Sequence, residues 1–348
     1  MPLVVSWERW MKALQEHLNR WMLLYVLLAI GLGLVVGHAS SSWSQANSAR
    51  ISSLTTLAVF FVIFPMMVNV RLESLLKAGK NVKGLALAMF YNFVWTPLIG
   101  FVLARLFLTE PLIALGFLLV MVVPCSGMAV GYTGLAGGNI ELATVAVALS
   151  FVIAVFSVPF WMALFAAQYA VPIPVREMVT TILTVLIAPM VLGYLTRRGL
   201  VRWRGETQFQ KWQPFFPTLS LLAMFAIIFL IFFGKADMIV DKWRVVVLLL
   251  VPSGLYVLVS LALQTWLNRR LGLSYQEHMA VAFASSSSNN ATAIAIATIA
   301  FSPLVAVPAA TMPIIQSILM VSYLRMAPSV RAYFDRKRAG LPPVVAAG

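Results

Sequence analysis

Apolar residues in this chain fall into long runs separated by short charged or turn-rich breaks. A run of about 20 apolar residues spans the hydrocarbon core of a bilayer as a helix. The first five runs are Trp21–His38, Ile51–Val70, Gly84–Leu108, Pro111–Ala136 and Ile140–Gln168. The second five are Val175–Thr196, Pro214–Gly234, Trp243–Leu267, Tyr275–Ala300 and Pro303–Met326. The pattern predicts an all-α polytopic membrane protein with ten spans. Residues 1–20 form a cytoplasmic or interfacial segment, 21–168 and 175–326 two sets of five spans, and 327–348 a basic cytoplasmic tail.

Two spans are interrupted at matching places, the fourth of each set. Span four carries Val123-Pro124-Cys125-Ser126-Gly127 in mid-stretch, and span nine carries Ser285-Ser286-Ser287-Ser288-Asn289-Asn290. Hydrocarbon does not tolerate unpaired backbone groups, so such breaks must face protein or a water-lined cavity. Broken helices at corresponding positions are the mark of an inverted repeat with its site near the midplane. Five spans per half, an odd number, requires the halves to insert in opposite orientations. Pro159 and Pro313, in spans five and ten, extend the correspondence. A single Ser or Pro at membrane depth reads as packing glue or a kink. Two multi-residue breaks in register favour a site.

Composition agrees. Of 348 residues 61% are hydrophobic and 10% charged, with a mean hydropathy of +0.92, whereas soluble domains carry roughly a quarter charged residues. The net charge of +14 would suggest nucleic acid in a soluble protein. Here its placement is topological. Arg9, Lys12, Arg20, Arg71, Lys77, Lys80, Lys83, Arg197, Arg198, Arg202, Arg204, Lys211, Arg269, Arg270, Arg325, Arg331, Arg336, Lys337 and Arg338 fall on one side of ten spans. Only Arg50, Arg105, Arg176, Lys235, Lys242 and Arg244 fall on the other. The positive-inside rule then puts both termini in the cytoplasm. Glu8, Arg9, Lys12 and Glu16 break up the first apolar stretch, which reads as an amphipathic helix and not as a cleavable signal peptide.

The chemistry at the breaks is neutral. A broken helix offers free N–H groups at one half-helix start and free carbonyls at the other half's end. Ser126, Ser285, Ser286, Ser287, Ser288, Asn289 and Asn290 add uncharged donors and acceptors, and Asn92 lies in span three, where an interhelical hydrogen bond is the alternative role. All 11 acidic residues fall at span ends, in loops or in the termini, although cation-driven transporters usually place one within a span. One cysteine excludes an intrachain disulfide, and His17, His38 and His278 have no ligand spacing. Cys125 is the one soft donor, suited to thiophilic metals and metalloids. A lone membrane cysteine can simply pack, but this one directly follows the helix-breaking Pro124.

At these residues the chain resembles a known family. Pro124-Cys125-Ser126-Gly127-Met128-Ala129, continuing through Leu135-Ala136-Gly137-Gly138-Asn139, resembles the fourth helix of the bile acid/sodium symporter superfamily, and more closely its arsenite-efflux branch, the arsenical-resistance permeases. Phe64-Pro65-Met66-Met67-Val68-Asn69-Val70-Arg71 and the stretch from Asn81 to Pro97 resemble the second and third helices of that branch, and Ser288-Asn289-Asn290 its ninth. The resemblance implies a core domain of spans three to five and eight to ten, packed against a panel of spans one, two, six and seven, with broken helices four and nine crossing. It makes Cys125 the cysteine that transport requires. Departures exist: Ala291-Thr292 stands where the branch has Phe-Glu, and Ala129-Val130 and Ser285 stand where the sodium symporters have Ser-Asn and Glu. These argue against a sodium site, and the missing ninth-helix glutamate puts proton antiport in doubt as well, so the coupling ion, proton or otherwise, stays open.

The expected function is export of trivalent arsenite, or antimonite, across the inner membrane by alternating access. Cys125 would contact the metalloid as substrate, with Asn92, Ser126, Ser288, Asn289, Asn290 and Thr292 around its hydroxyls. Pro124, Gly127, Ser285, Ser286 and Ser287 would make the breaks. No cofactor and no nucleic-acid partner is expected; the partners are the bilayer and a small inorganic metalloid. The rival on the same fold is a carrier of an organic anion. A membrane sensor or scaffold is a further rival, and an enzyme is disfavoured because the spans hold no carboxylate pair, histidine cluster or nucleophile–base pair.

Overall fold

The computed structural model describes residues 2–68, 81–125, 128–169, 180, 188–234, 236–241 and 243–338. The start of predicted span six, the end of span two, Ser126, Gly127 and the last ten residues of the tail lie outside the described residues. What is described is helical almost throughout. Six helices are long and apolar enough to cross a membrane, and Ser48–Val62, Pro111–Val122 and Thr292–Phe301 are shorter apolar helices.

Helix α1 (Pro2–Arg20) is amphipathic. Met11 and Leu18 are buried while Trp10 stays exposed, and Trp7 sits 5.8 Å from Trp212. Helices α2 (Met22–Ala39), α3 (Ser41–Ala46) and α4 (Ser48–Val68) follow. Asn81 then starts α5 (Val82–Phe90) by accepting the Gly84 N–H on its side chain, an N-cap that satisfies one orphan donor. A π-helical turn, Tyr91–Trp95, joins α5 to α6 (Thr96–Phe107), so span three is continuous but locally widened by an extra residue in the turn. Helix α7 (Pro111–Val122) opens on a proline, which suits the first helical position. It is followed by α8 (Met128–Leu135) and by α9 (Ile140–Gln168), capped by Asn139.

The second half gives α10 (Ala188–Arg204), α11 (Glu206–Trp212), α12 (Phe215–Gly234), α13 (Ala236–Asp241) and α14 (Trp243–Leu248). Helix α15 (Leu250–Arg270) ends in a turn where Gly272 takes φ +81°, a left-handed conformation that favours glycine. Ser274 opens α16 (Tyr275–Ser286) with a full capping box to Glu277. Helices α17 (Asn290–Ile296), α18 (Pro303–Arg325) and α19 (Ala327–Arg338) complete the chain, with a second π-helical turn at Ala297–Phe301.

Packing sorts these elements into two sets. Helices α2 and α4 pack against α12, and α10 packs against α4. Helices α5 to α9 and α15 to α18 pack on one another, with α7 against α18 at its centre and α16 against α5, α8, α9 and α15. The seam between the sets is made by α17 and α18 against α2, α4 and α12. All ten residues of α7 from Ile113 to Val122 are buried, and so is the whole of α16 apart from its first turn. The first halves of both broken spans, which lead into the breaks, are therefore enclosed by protein, as backbone interruption in lipid requires.

Helices α7 and α18 approach closely because Gly116 has no side chain. A Cβ there would run into the Val305 carbonyl and stand 3.0 Å from Pro308 Cγ. Gly116→Ala is expected to cost about 1–3 kcal/mol through overpacking, read as a lower thermal midpoint of the purified protein in detergent. Gly131→Ala, where nothing lies within 4 Å of an added Cβ, should lose nothing in the same assay.

Candidate functional site

The site is built from two helix ends that meet. Pro124 has no N–H and pushes the residue before it out of helical geometry. Accordingly α7 stops at Val122, and Val123 is extended at φ −71°, ψ 149°. On the other side, consecutive Ser and Asn side chains offer the backbone competing hydrogen bonds. Helix α16 stops at Ser286 and Ser287 leaves helix at φ −108°, ψ 82°. Ser285 and Ser286, expected in the break, are thus the last residues of the helix, and the break itself is Ser287, Ser288 and Asn289. The two extended pieces run antiparallel with Cys125 opposite Ser288. The Asn289 N–H donates to the Pro124 carbonyl at 3.1 Å.

The end of α16 leaves carbonyls without helical partners, and three other helices supply donors. Asn92 Nδ2 donates to the Ala284 carbonyl at 3.1 Å, the Tyr256 hydroxyl to that of Ser285 at 3.1 Å, and Gln316 Nε2 to that of Ser286 at 3.1 Å. The Tyr256 phenol has given its proton to Ser285, so Thr96 Oγ1, 3.3 Å away, donates to it. Gln264 accepts from the Ser285 hydroxyl at 3.0 Å and donates to the Ser286 hydroxyl at 3.2 Å. Gln316 also accepts from Asn290 Nδ2 at 2.7 Å, so one side chain holds both halves of span nine across the break. The restart is capped by Asn289, whose Oδ1 accepts from the Thr292 N–H at 3.1 Å.

Cys125 lies beside Ser150 of α9, with Sγ 3.3 Å from Oγ. The Ser150 hydroxyl donates its proton to the Val147 carbonyl at 2.7 Å. The thiol must therefore be the donor toward Ser150, and it is held as a neutral S–H. Cys125 is 1% exposed. All these side chains are uncharged.

The structure brings together Asn92, Pro124, Cys125 and Ser285 to Asn290, all buried or part of the crossing. Thr292 is buried one residue pair beyond, and its Oγ1, like Asn290 Oδ1, is a buried polar atom without a protein partner. Ser126 and Gly127 lie outside the described residues. The sequence reading missed Tyr256, Gln264, Gln316 and Ser150. Gln264 and Gln316 did carry a signal, being amides in otherwise apolar spans; the Tyr256 phenol carried none, since tyrosine is ordinary in a span.

Residues 56–242, more than half of the chain, match the model of the Sodium Bile acid symporter family. The chain belongs to the sodium bile acid symporter family. It is accordingly a multi-pass membrane transporter. An arsenical-resistance protein of Corynebacterium glutamicum is 24% identical over 298 residues, covering 81% of this chain and 80% of that protein. One from Alkaliphilus metalliredigens is 22% identical over 251 residues, covering 68% and 70%. An uncharacterized transporter of Synechocystis is 24% identical over 312 residues, covering 82% and 80%.

In this symporter-family chain the break in span nine depends on Gln316. Gln316→Leu leaves the Ser286 carbonyl and the Asn290 amide unpaired, each abandoned buried group costing about 1–3 kcal/mol. Thermal unfolding in detergent should show that loss as a lower midpoint.

Proposed function

We propose that the protein exports trivalent arsenite, and by the same chemistry antimonite, across the inner membrane of the cell. The observation that carries this reading is Cys125, a buried neutral thiol at the point where the two broken spans cross. Arsenite at neutral pH is mainly the uncharged trihydroxide. A dry site of neutral amides, hydroxyls and one thiol suits that species, because burying an ion there without a counter-charge is costly. Sulfur is the donor that soft metalloids prefer. Binding is a ligand exchange: the Cys125 S–H proton leaves with one arsenic-bound hydroxide as water, and an arsenic–sulfur bond replaces an arsenic–oxygen bond. No net charge moves. Asn290 Oδ1 and Thr292 Oγ1, the unpartnered buried atoms, are suited to the remaining hydroxyls, with Ser288 and the backbone of the crossing beside them.

In this reading the chain is a ten-span inverted repeat of five plus five with both termini cytoplasmic. The set α5 to α9 with α15 to α18 is the core, and α2, α4, α10 and α12 are the panel. Rocking of one against the other along the α17–α18 seam exposes the site to alternate sides. The arsenical-resistance relatives support the cargo, and the basic segments support the orientation.

Arsenite flux in proteoliposomes tests the reading. Cys125→Ser is expected to lower flux at least roughly tenfold, the least that loss of a metal-binding contact usually costs, and to leave an arsenite-sensitive cell unprotected. Equal flux through wild type and Cys125→Ser would refute a thiol-dependent exporter. Sodium-driven uptake of an organic acid, indifferent to that substitution, would instead establish the organic-anion carrier.

A further inference from the structure

Hydroxyls in the helices of this protein are commonly bonded back onto their own backbone. Thr55, Thr133, Thr144, Thr218, Thr265 and Thr311 each donate to the carbonyl four residues earlier, a bond that satisfies a threonine within its own helix. Polar residues at helix starts are used in the same way. Asn81, Asn139, Ser274 and Asn289 each accept an N–H that the helix leaves unpaired.

The second half of span nine departs from both habits. Among the described residues six buried side-chain polar atoms have no partner, and four of them lie between Asn290 and Ser302. Asn290 Oδ1 and Thr292 Oγ1 are at the crossing. Thr298 Oγ1 is in the π-helical turn Ala297–Phe301 and lacks the bond to its own backbone that the six threonines above make. Ser302 stands at the N-cap of α18 and does not cap it, which leaves its hydroxyl unpaired as well.

The four atoms fall in two pairs with an apolar stretch between them. Ala293, Ile294, Ala295, Ile296 and Ala297 are all 0% exposed, whereas the span opens from Thr298 onward, where every residue to Leu304 is half-buried or exposed. From Asn290 to Ser302 the span rises roughly 18 Å at about 1.5 Å per residue, against roughly 15 Å from the midplane to the edge of the hydrocarbon. The second pair therefore lies near the membrane edge opposite Arg269 and Arg270, which precede span nine. In the orientation of the proposed function that is the outer side, where an exporter releases its load. The same stretch borders the seam, since α17 and the π-helical turn pack against α4 and α18.

We propose that Thr298 and Ser302 form a second station for the transported solute, on the release side of the crossing and closed off from it by Ala293 to Ala297. The cargo of this station rests on the arsenite reading; the polar path past Thr298 does not. Buried polar groups are ordinarily paired, so hydroxyls kept from their own backbone are open to a partner that comes and goes. Each supplies one donor and two acceptor sites, which a neutral trihydroxide or water complements. Release also needs water: the arsenic–sulfur bond breaks as one water gives its hydroxide to arsenic and its proton to sulfur, the reverse of the exchange on binding. A hydroxyl-lined arm that opens along the seam admits that water and receives the trihydroxide by hydrogen bonds alone.

Removing the hydroxyls separates this role from a structural one. Replacing an unpaired hydroxyl by an apolar group of similar shape takes nothing from the fold, so Thr298→Val and Ser302→Ala should leave the thermal midpoint in detergent unchanged or higher. Each should lower arsenite flux in proteoliposomes about fivefold, the size of one hydrogen bond, while arsenic–sulfur coordination in the loaded protein, read by X-ray absorption, stays as in wild type. A lowered midpoint, or undiminished flux through the double variant, overturns the proposal. The path itself is tested without arsenite. Thr298→Cys and Ser302→Cys, each in the Cys125→Ser chain, should react in spheroplasts with a membrane-impermeant maleimide applied from outside. Ile228→Cys, at a position 0% exposed in α12, should not. Failure of both test variants to label from outside also overturns the proposal. A wild type that carries no arsenite, with both positions labelled, refutes the proposed cargo and leaves the polar path standing.

Discussion

In hydrocarbon no water is at hand to bond a peptide group, and everything particular about this protein follows from two helices that break at membrane depth regardless. Each break strands carbonyls at one end and N–H groups at the other. The fold answers by laying the two breaks across each other, Cys125 opposite Ser288, so that one backbone bond joins them. It then closes the end of α16 with an amide, a phenol and a second amide from three different helices, Asn92, Tyr256 and Gln316. Pairing a buried polar group is what makes its burial tolerable. Here the pairing groups come from elements far apart in sequence, which binds spans three, eight, nine and ten into one body.

The same economy of charge shapes the chemistry. Because the backbone ends are capped by neutral groups, the pocket carries dipoles and no ions. The Ser150 bond to Val147 turns the Cys125 proton toward Ser150 and leaves sulfur as an uncharged donor. A neutral hydroxylated metalloid can shed one hydroxide as water in such a place without creating charge. The chain belongs to the sodium bile acid symporter family; the proline followed by a thiol in its break is the feature on which the proposed arsenite cargo rests.

The helices and both breaks were legible in the sequence because proline and serial serine act locally. Pro124 stops α7 within two residues, and the polar run stops α16 at its middle, although Ser285 and Ser286 remain helical because α15 and α18 supply partners for their hydroxyls and carbonyls. The caps were not legible. Tyr256, Gln264 and Gln316 act on groups 21 to 30 positions away, and no local pattern ties a phenol in one span to a carbonyl in the next. Asn92 was picked out correctly as a buried amide, but its donor serves a backbone carbonyl, and Asn289 likewise caps the helix restart. The π-helical turn at Tyr91 to Trp95 leaves no trace in hydropathy, since an extra residue in a turn changes neither length nor polarity.

Contact between arsenic and sulfur at the crossing decides the proposed function. X-ray absorption at the arsenic edge of the arsenite-loaded, detergent-purified wild type measures this directly. The expected shell contains one sulfur and two oxygens, with the sulfur lost in Cys125→Ala. A shell of three oxygens in the loaded wild type would contradict it.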